Sequence, residues 1–231
     1  MTAARLPRTS PPGLVVFDVD GTLQDTCLWW PKVLRQGLAA FAAERGFVAR
    51  LPDDAAANAV IGKRDAEVWG AFLPPEHHDL WPDLRAAVVP VEAEVVRGGA
   101  DFAFPRARAL LGILRAAGVT TALASNCRQT YFAAVREGLG LAYLTDWQFC
   151  LDSPGVTCKA DMLAAAMTAA GTRDAVMVGD RESDLEAARA HDLAFVWRRT
   201  PFCAGLAADA EWKGDVDAFL RIIGLATPRL Q

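Results

Sequence analysis

No apolar run in the 231-residue chain approaches the ~20 residues needed to cross a bilayer, so a membrane partner is not expected. Positive charge is also scarce. Lys and Arg total 24 against 28 Asp and Glu, a net charge of −4, and the cations are dispersed rather than gathered into a stripe. Nucleic acid is therefore not an expected partner, and a small anionic substrate has to be caught by local chemistry. Histidines number three, and the five cysteines (Cys27, Cys127, Cys150, Cys158, Cys203) form no C-x-x-C pair and lie near no histidine at ligand spacing. That pattern excludes a structural zinc site and a disulfide framework, and implies a reduced, cytoplasmic protein. Residues 1–13 carry Arg5, Arg8 and three prolines but no apolar h-region; they are expected to form a flexible tail, not a secretion signal.

What is present suits a globular chain, with 52% hydrophobic and 23% charged residues. The run Leu14 to Phe17, closed by Asp18 and followed by Asp20-Gly21, has the form of a buried parallel strand ending in a functional turn. Similar runs occupy Val119 to Ala124, Ala175 to Val178 and Leu193 to Trp197, with a weaker one at Trp147 to Leu151. Between them lie amphipathic stretches at Arg106 to Ala117, Thr130 to Leu139, Asp161 to Ala170 and Asp184 to Ala190. This alternation predicts an α/β fold with a doubly wound parallel sheet, whose ligands bind beyond the carboxyl ends of the strands. Residues 25–99 break the pattern, offering helical periodicity at Pro31 to Arg45, Asp54 to Ile61 and His78 to Val96. They are expected to be an inserted helical domain, leaving residues 14–24 and 100–231 as the core, with Gly98-Gly99 as the return hinge.

Asp18-Val19-Asp20-Gly21-Thr22-Leu23 sets two carboxylates two residues apart at a strand end. In extended backbone both leave the same side, so one carboxylate can attack an electrophile while the other moves a proton. Ser125-Asn126 ends a later strand, where a hydroxyl and free N–H groups at a helix start would face an anion. Lys159 falls in the first turn of a helix, an unfavourable place for a cation unless an anion compensates it. Gly179-Asp180 and Asp184 form G-D-x-x-x-D, and Ser183 to Glu186 has the spacing of a capping box that would start a helix at Asp184. Four carboxylates in one cleft repel one another by about 4 kcal/mol per close pair at 4 Å and an effective dielectric of 20. A divalent cation relieves this, and an all-oxygen ligand set favours Mg²⁺ over Zn²⁺.

These four segments, in this order, resemble the four signatures of the haloacid-dehalogenase-like superfamily, and Asp25-Thr26 continues the first as in its phosphoglycolate-phosphatase-like members. The resemblance implies a Mg²⁺-dependent phosphatase that removes phosphate from a small phosphorylated metabolite through an aspartyl phosphate on Asp18. It further implies that Asp20 is the acid and base, that Ser125, Asn126 and Lys159 hold phosphate, and that Lys159 supports catalysis. Mg²⁺ would be held by Asp18, the Asp20 carbonyl and Asp180, with Asp184 binding directly or through water. The helical insert takes the place of the family's cap, in which Gly62-Lys63-Arg64 resembles a substrate-contacting loop, with Lys63 or Arg64 meeting a carboxylate or second phosphate. Asp20 is absent from the true dehalogenases and argues for phosphate chemistry. Lys159 is followed by Ala160 where the family often has proline, and Phe104-Pro105-Arg106 lacks a frequent glycine. A phosphosugar mutase shares the same four signatures, and a non-catalytic phosphate-binding module would keep the fold without the activity. His77-His78 are expected at the surface, at least one of Trp29-Trp30 in the core, and Cys127 as a small buried residue.

Overall fold

The computed structural model describes residues 6–201, 203 and 205–225. Six strands, β1 (Leu14–Phe17), β2 (Thr120–Ser125), β3 (Trp147–Cys150), β4 (Ala175–Gly179), β5 (Ala194–Arg198) and β6 (Ala210–Trp212), form one sheet in the order β3-β2-β1-β4-β5-β6. Every pairing in it is parallel. The expected doubly wound α/β sheet is thus present. The central strand β1 is buried on both faces, which is why it reads as a continuous apolar run.

Its side chains alternate between two cores. Val15 and Phe17 face the side covered by α5 (Ala107–Ala116), α6 (Gln129–Gly138) and α9 (Val216–Ile222), whereas Leu14 and Val16 face α7 (Lys159–Ala170) and α8 (Glu182–Ala190). Full burial of a residue such as Phe17 contributes roughly 1.5–3 kcal/mol. The chain runs outward from β1 to β2 and β3, then returns to begin β4 on the other side of β1. The switch point therefore lies between β1 and β4, where the ligand crevice of such sheets forms.

Between β1 and α5 the described structure holds helices without a strand: α1 (Trp30–Arg45), α2 (Asp54–Asn58), α3 (Asp65–Trp69) and α4 (Trp81–Arg97). α2 ends at Asn58, before the expected Ile61, and a 3₁₀ turn over Pro75–Leu80 precedes α4. The two crossings into this insert are bonded to each other. Asp25 N–H donates to Phe102 O at 2.7 Å, and Phe104 N–H donates to Leu23 O at 2.9 Å. Arg106, where the family pattern often has glycine, adopts the left-handed φ of 63°.

The expectation of a loose tail fails for residues 8–13. Arg8 N–H donates to Ile222 O at 2.9 Å, and its guanidinium pairs with Asp174 at 2.7 Å. Residues 1–5 of that tail lie outside the described residues.

Candidate active site

Asp18 directly follows β1, and its N–H donates to Val178 O of β4 at 2.8 Å, fixing the turn at the switch point. Gly21 takes a φ of 83°, and a Cβ there would collide with the Asp180 carboxylate. A Cβ at Gly179 would likewise collide with Asp184. These two glycines let the acid groups approach; a side chain at either would push the carboxylates apart. Asp180 follows β4, and Asp184 lies in the first turn of α8, where its Oδ2 accepts the Arg181 N–H at 2.9 Å. The helix therefore starts at Glu182, two residues before the expected start, because Asp184 rather than Ser183 satisfies its end. Lys159 opens α7, and its Nζ bridges Asp18 Oδ1 at 2.7 Å and Asp184 Oδ1 at 2.5 Å.

One carboxylate oxygen from each of Asp18, Asp180 and Asp184 lies within 4.8 Å of the others. Burial raises the Asp18 carboxyl to about 7; Lys159 opposes that rise and Asp184 adds to it. Burial and then the Asp18 charge push Asp180 well above the usual carboxylate range. Burial alone would lower the Lys159 ammonium, but Asp18 and Asp184 outweigh it and hold the group above its ordinary value. Asp18 Oδ2 and Asp180 Oδ1 are buried without a hydrogen-bond partner. Orphaned oxygens in an all-carboxylate cluster match the donor set of a hard divalent cation.

Asp20 is held from three sides. Its Oδ1 accepts from the Thr26 hydroxyl at 2.5 Å, from the Tyr131 hydroxyl at 2.7 Å and from Gln24 Nε2 at 3.4 Å. Gln24 Nε2 in turn donates to the Tyr131 oxygen at 2.8 Å and to the Thr26 oxygen at 3.2 Å. Burial raises the Asp20 carboxyl, and the Thr26 and Tyr131 hydrogen bonds moderate the rise. A fixed carboxyl with a raised affinity for its proton suits acid and base work. Sequence reasoning missed Tyr131, which is 111 residues from Asp20 and belongs to no motif.

Ser125 ends β2 and lines a cavity of about 90 Å³ with Asp18 and Asp20. The helix expected directly after it starts three residues beyond Asn126. α6 begins only at Gln129, whose N–H is already taken by the Asp152 carboxylate at 2.8 Å. The Asn126 amide donates to the Gly62 carbonyl of the insert at 3.2 Å, so this side chain ties core to insert. Arg181, also missed, does the same: it donates to Asn58 O at 2.9 Å and lies 3.3 Å from Asp180 Oδ2.

The cavity's upper wall comes from the insert, chiefly Trp30, Ile61, Val68, Trp69 and Glu92. Lys63 lines both this cavity and a neighbouring cleft of about 1210 Å³, whereas Arg64 reaches only the cleft. The Arg64 side chain is 82% exposed and its guanidinium pairs with Glu67 at 3.1 Å. Trp29 and Trp30 are both buried, His78 is exposed, and burial pushes the Cys127 thiol well up, away from a nucleophile's range.

The family model described as haloacid dehalogenase-like hydrolase matches residues 12–192. None of the curated proteins matches the chain. Among solved structures, a predicted phosphoglycolate phosphatase from Haemophilus somnus superposes with a TM-score of 0.73 at 14% identity, covering 90% of this chain and 96% of that one. A predicted phosphatase from Clostridium acetobutylicum gives 0.70 at 22%, covering 91% and 97%. CbbY from Rhodobacter sphaeroides, in complex with phosphate, gives 0.68 at 17%, covering 88% and 94%. At these identities the likeness is one of fold. The family match spans the sheet from β1 to the end of α8 with all four acid groups, and the chain belongs to the haloacid dehalogenase-like hydrolases.

Proposed function

We propose that this protein is a cytoplasmic, Mg²⁺-dependent phosphatase that acts on a small phosphorylated metabolite, with Asp18 as the nucleophile. The observation that carries the reading is the pairing of Asp18 and Asp20 in one small cavity, Asp18 oriented by Lys159 and Asp20 held by Thr26 and Tyr131. Asp18, the Asp20 carbonyl and Asp180 would hold Mg²⁺. Both Asp184 oxygens already accept protein donors, which favours its action through water. Bound Mg²⁺ would neutralise charge on the transferring phosphoryl group.

Asp18 attacks phosphorus and the P–O bond to the alcohol breaks, while Asp20 gives its proton to the departing oxygen. Asp20 then takes a proton from the water that cleaves the aspartyl phosphate, releasing inorganic phosphate and restoring Asp18. Lys159 and the Ser125 hydroxyl offset the charge on the phosphoryl oxygens. Phosphate release from p-nitrophenyl phosphate that stops with EDTA and returns with Mg²⁺ tests this reading. Recovery with Zn²⁺ alone would contradict the ligand set, and phosphate returned to a sugar phosphate instead of water would make the protein a mutase.

The metal claim has a pH signature. The Asp18 carboxyl is raised to about 7 in the folded chain, so without metal it binds its proton more tightly folded than unfolded. That contribution to stability is complete below the unfolded pKa and is lost as pH rises through 7. Mg²⁺ competes with the proton, so saturating Mg²⁺ should raise the melting temperature more at pH 8 than at pH 5.5. Asp180→Ala should remove the gain at both. A gain that is equal at both pH values would count against Asp18 as a ligand.

The two cations of the insert should separate. Lys63→Ala should raise KM severalfold, since Lys63 borders the cavity, while Arg64→Ala should stay within about twofold because its guanidinium is spent on Glu67. The reverse order in steady-state kinetics would place Arg64 over the substrate.

A further inference from the structure

Helix α4 turns Leu84, Val88, Glu92 and Val96 inward at four-residue intervals, and all four are buried. Three are aliphatic and complete an ordinary core stripe. The fourth is a carboxyl only 4% exposed. Trp30 Nε1 donates to its Oε1 at 2.6 Å, and no other hydrogen bond or ion pair engages it among the described residues. Burial pushes it up to about 7, with the Trp30 hydrogen bond opposing the rise. A buried acid so poorly compensated is unfavourable, and a valine there would continue the stripe without that cost.

Glu92 lines the same cavity as Asp18. The other acid in that wall, Asp65, is already matched by Arg85 at 3.3 Å and Arg128 at 3.1 Å. Lys63 is exposed at the mouth. Beside Glu92 stand the rings of Trp30 and Trp69, edge to face with centroids 6.3 Å apart. The wall opposite the nucleophile is thus apolar and aromatic, with one free acceptor.

We propose that Glu92 is a specificity-determining residue that receives a hydrogen-bond donor, an ammonium or a hydroxyl, on the alcohol part of the ester that Asp18 attacks. The assignment rests on the phosphatase reading above. The donor must be carried on the alcohol itself, so the substrate class is the phosphate ester of an amino alcohol or polyol. An alcohol ending in a carboxylate would set like charges together beside the buried Glu92 and is selected against.

The test is steady-state kinetics of the full chain with Mg²⁺ on 2-aminoethyl phosphate, glycerol 1-phosphate, propyl phosphate and phosphoglycolate, with p-nitrophenyl phosphate as control. At least one donor-bearing ester should exceed both propyl phosphate and phosphoglycolate by about tenfold or more in kcat/KM. Glu92→Gln retains an acceptor for Trp30 but loses the charge. It should raise KM for the aminoethyl ester about tenfold if the donor is an ammonium, and spare the glycerol ester if it is a hydroxyl, with p-nitrophenyl phosphate within threefold in either case. Glu92→Leu should erase the preference for either donor. Propyl phosphate or phosphoglycolate turned over as fast as the donor-bearing esters, with normal p-nitrophenyl phosphate turnover, overturns the Glu92 assignment alone. Absence of turnover on all five esters overturns the phosphatase reading and this inference with it.

Discussion

Asp18→Asn should reduce kcat by at least about three orders of magnitude, because a carboxamide is nearly isosteric with the carboxylate but a very poor nucleophile. The fold should survive. Asn Oδ1 can still accept from Lys159 Nζ, now 2.7 Å from Asp18 Oδ1, and Lys159 keeps Asp184 as a second partner. Burial already draws the Asp18 carboxyl toward its neutral form, so a neutral amide costs little there. The melting temperature without metal should therefore stay within about 2–4 °C of wild type, the shift that roughly 1 kcal/mol produces in a chain of this size. Calorimetry and a phosphate-release assay on the same preparation decide it. A rate near wild type, or a loss of stability like that of a core truncation, would remove Asp18 from the nucleophile's role.

Asp20→Asn should lower kcat on alkyl phosphates by about 10²–10⁴, the usual span for a positioned acid and base. The loss should depend on the leaving group. p-Nitrophenolate departs without a proton, so its ester should retain most of the first step, whereas an alkoxide needs the proton that Asp20 supplies. Asn Oδ1 can keep the hydrogen bonds from Thr26 and Tyr131, which separates the chemical effect from a structural one. Equal losses in the single-turnover release of p-nitrophenolate and of the alkyl alcohol would assign Asp20 to holding the turn instead of to proton transfer.

The fold was legible in the sequence where burial on both faces wrote it as apolar runs, as at Leu14 to Phe17 and Ala175 to Val178. β6 was not, because Ala210–Trp212 is a three-residue edge strand with an exposed Glu211 at its centre. In the insert, α3 escaped notice since five residues give too little periodicity to see. The motif residues Asp18, Asp20, Lys159, Asp180 and Asp184 gather because they sit at strand ends and first helical turns, positions that spacing can reveal. Tyr131 and Arg181 act across long sequence separations on partners that only the folded chain supplies. Glu92 lay within reach of a closer reading: a single acid in a four-residue apolar stripe is visible in the sequence, although its place above Asp18 is not. The helix start expected after Asn126 comes only at Gln129, where Asp152, distant in sequence, takes the first N–H.

A covalent phosphoenzyme on Asp18 is the central claim, and Asp20→Asn offers the way to see it. With p-nitrophenyl phosphate this variant should pass the first step and stall at the second, which needs Asp20 to activate water. Rapid-quench kinetics with the ³²P-labelled ester should then give a burst of p-nitrophenolate near one equivalent per active site, followed by slow turnover. The label should map to the peptide containing Asp18 and vanish in the Asp18→Asn, Asp20→Asn double variant. Linear release without a burst and without protein-bound phosphate, or label on another residue, would contradict the account.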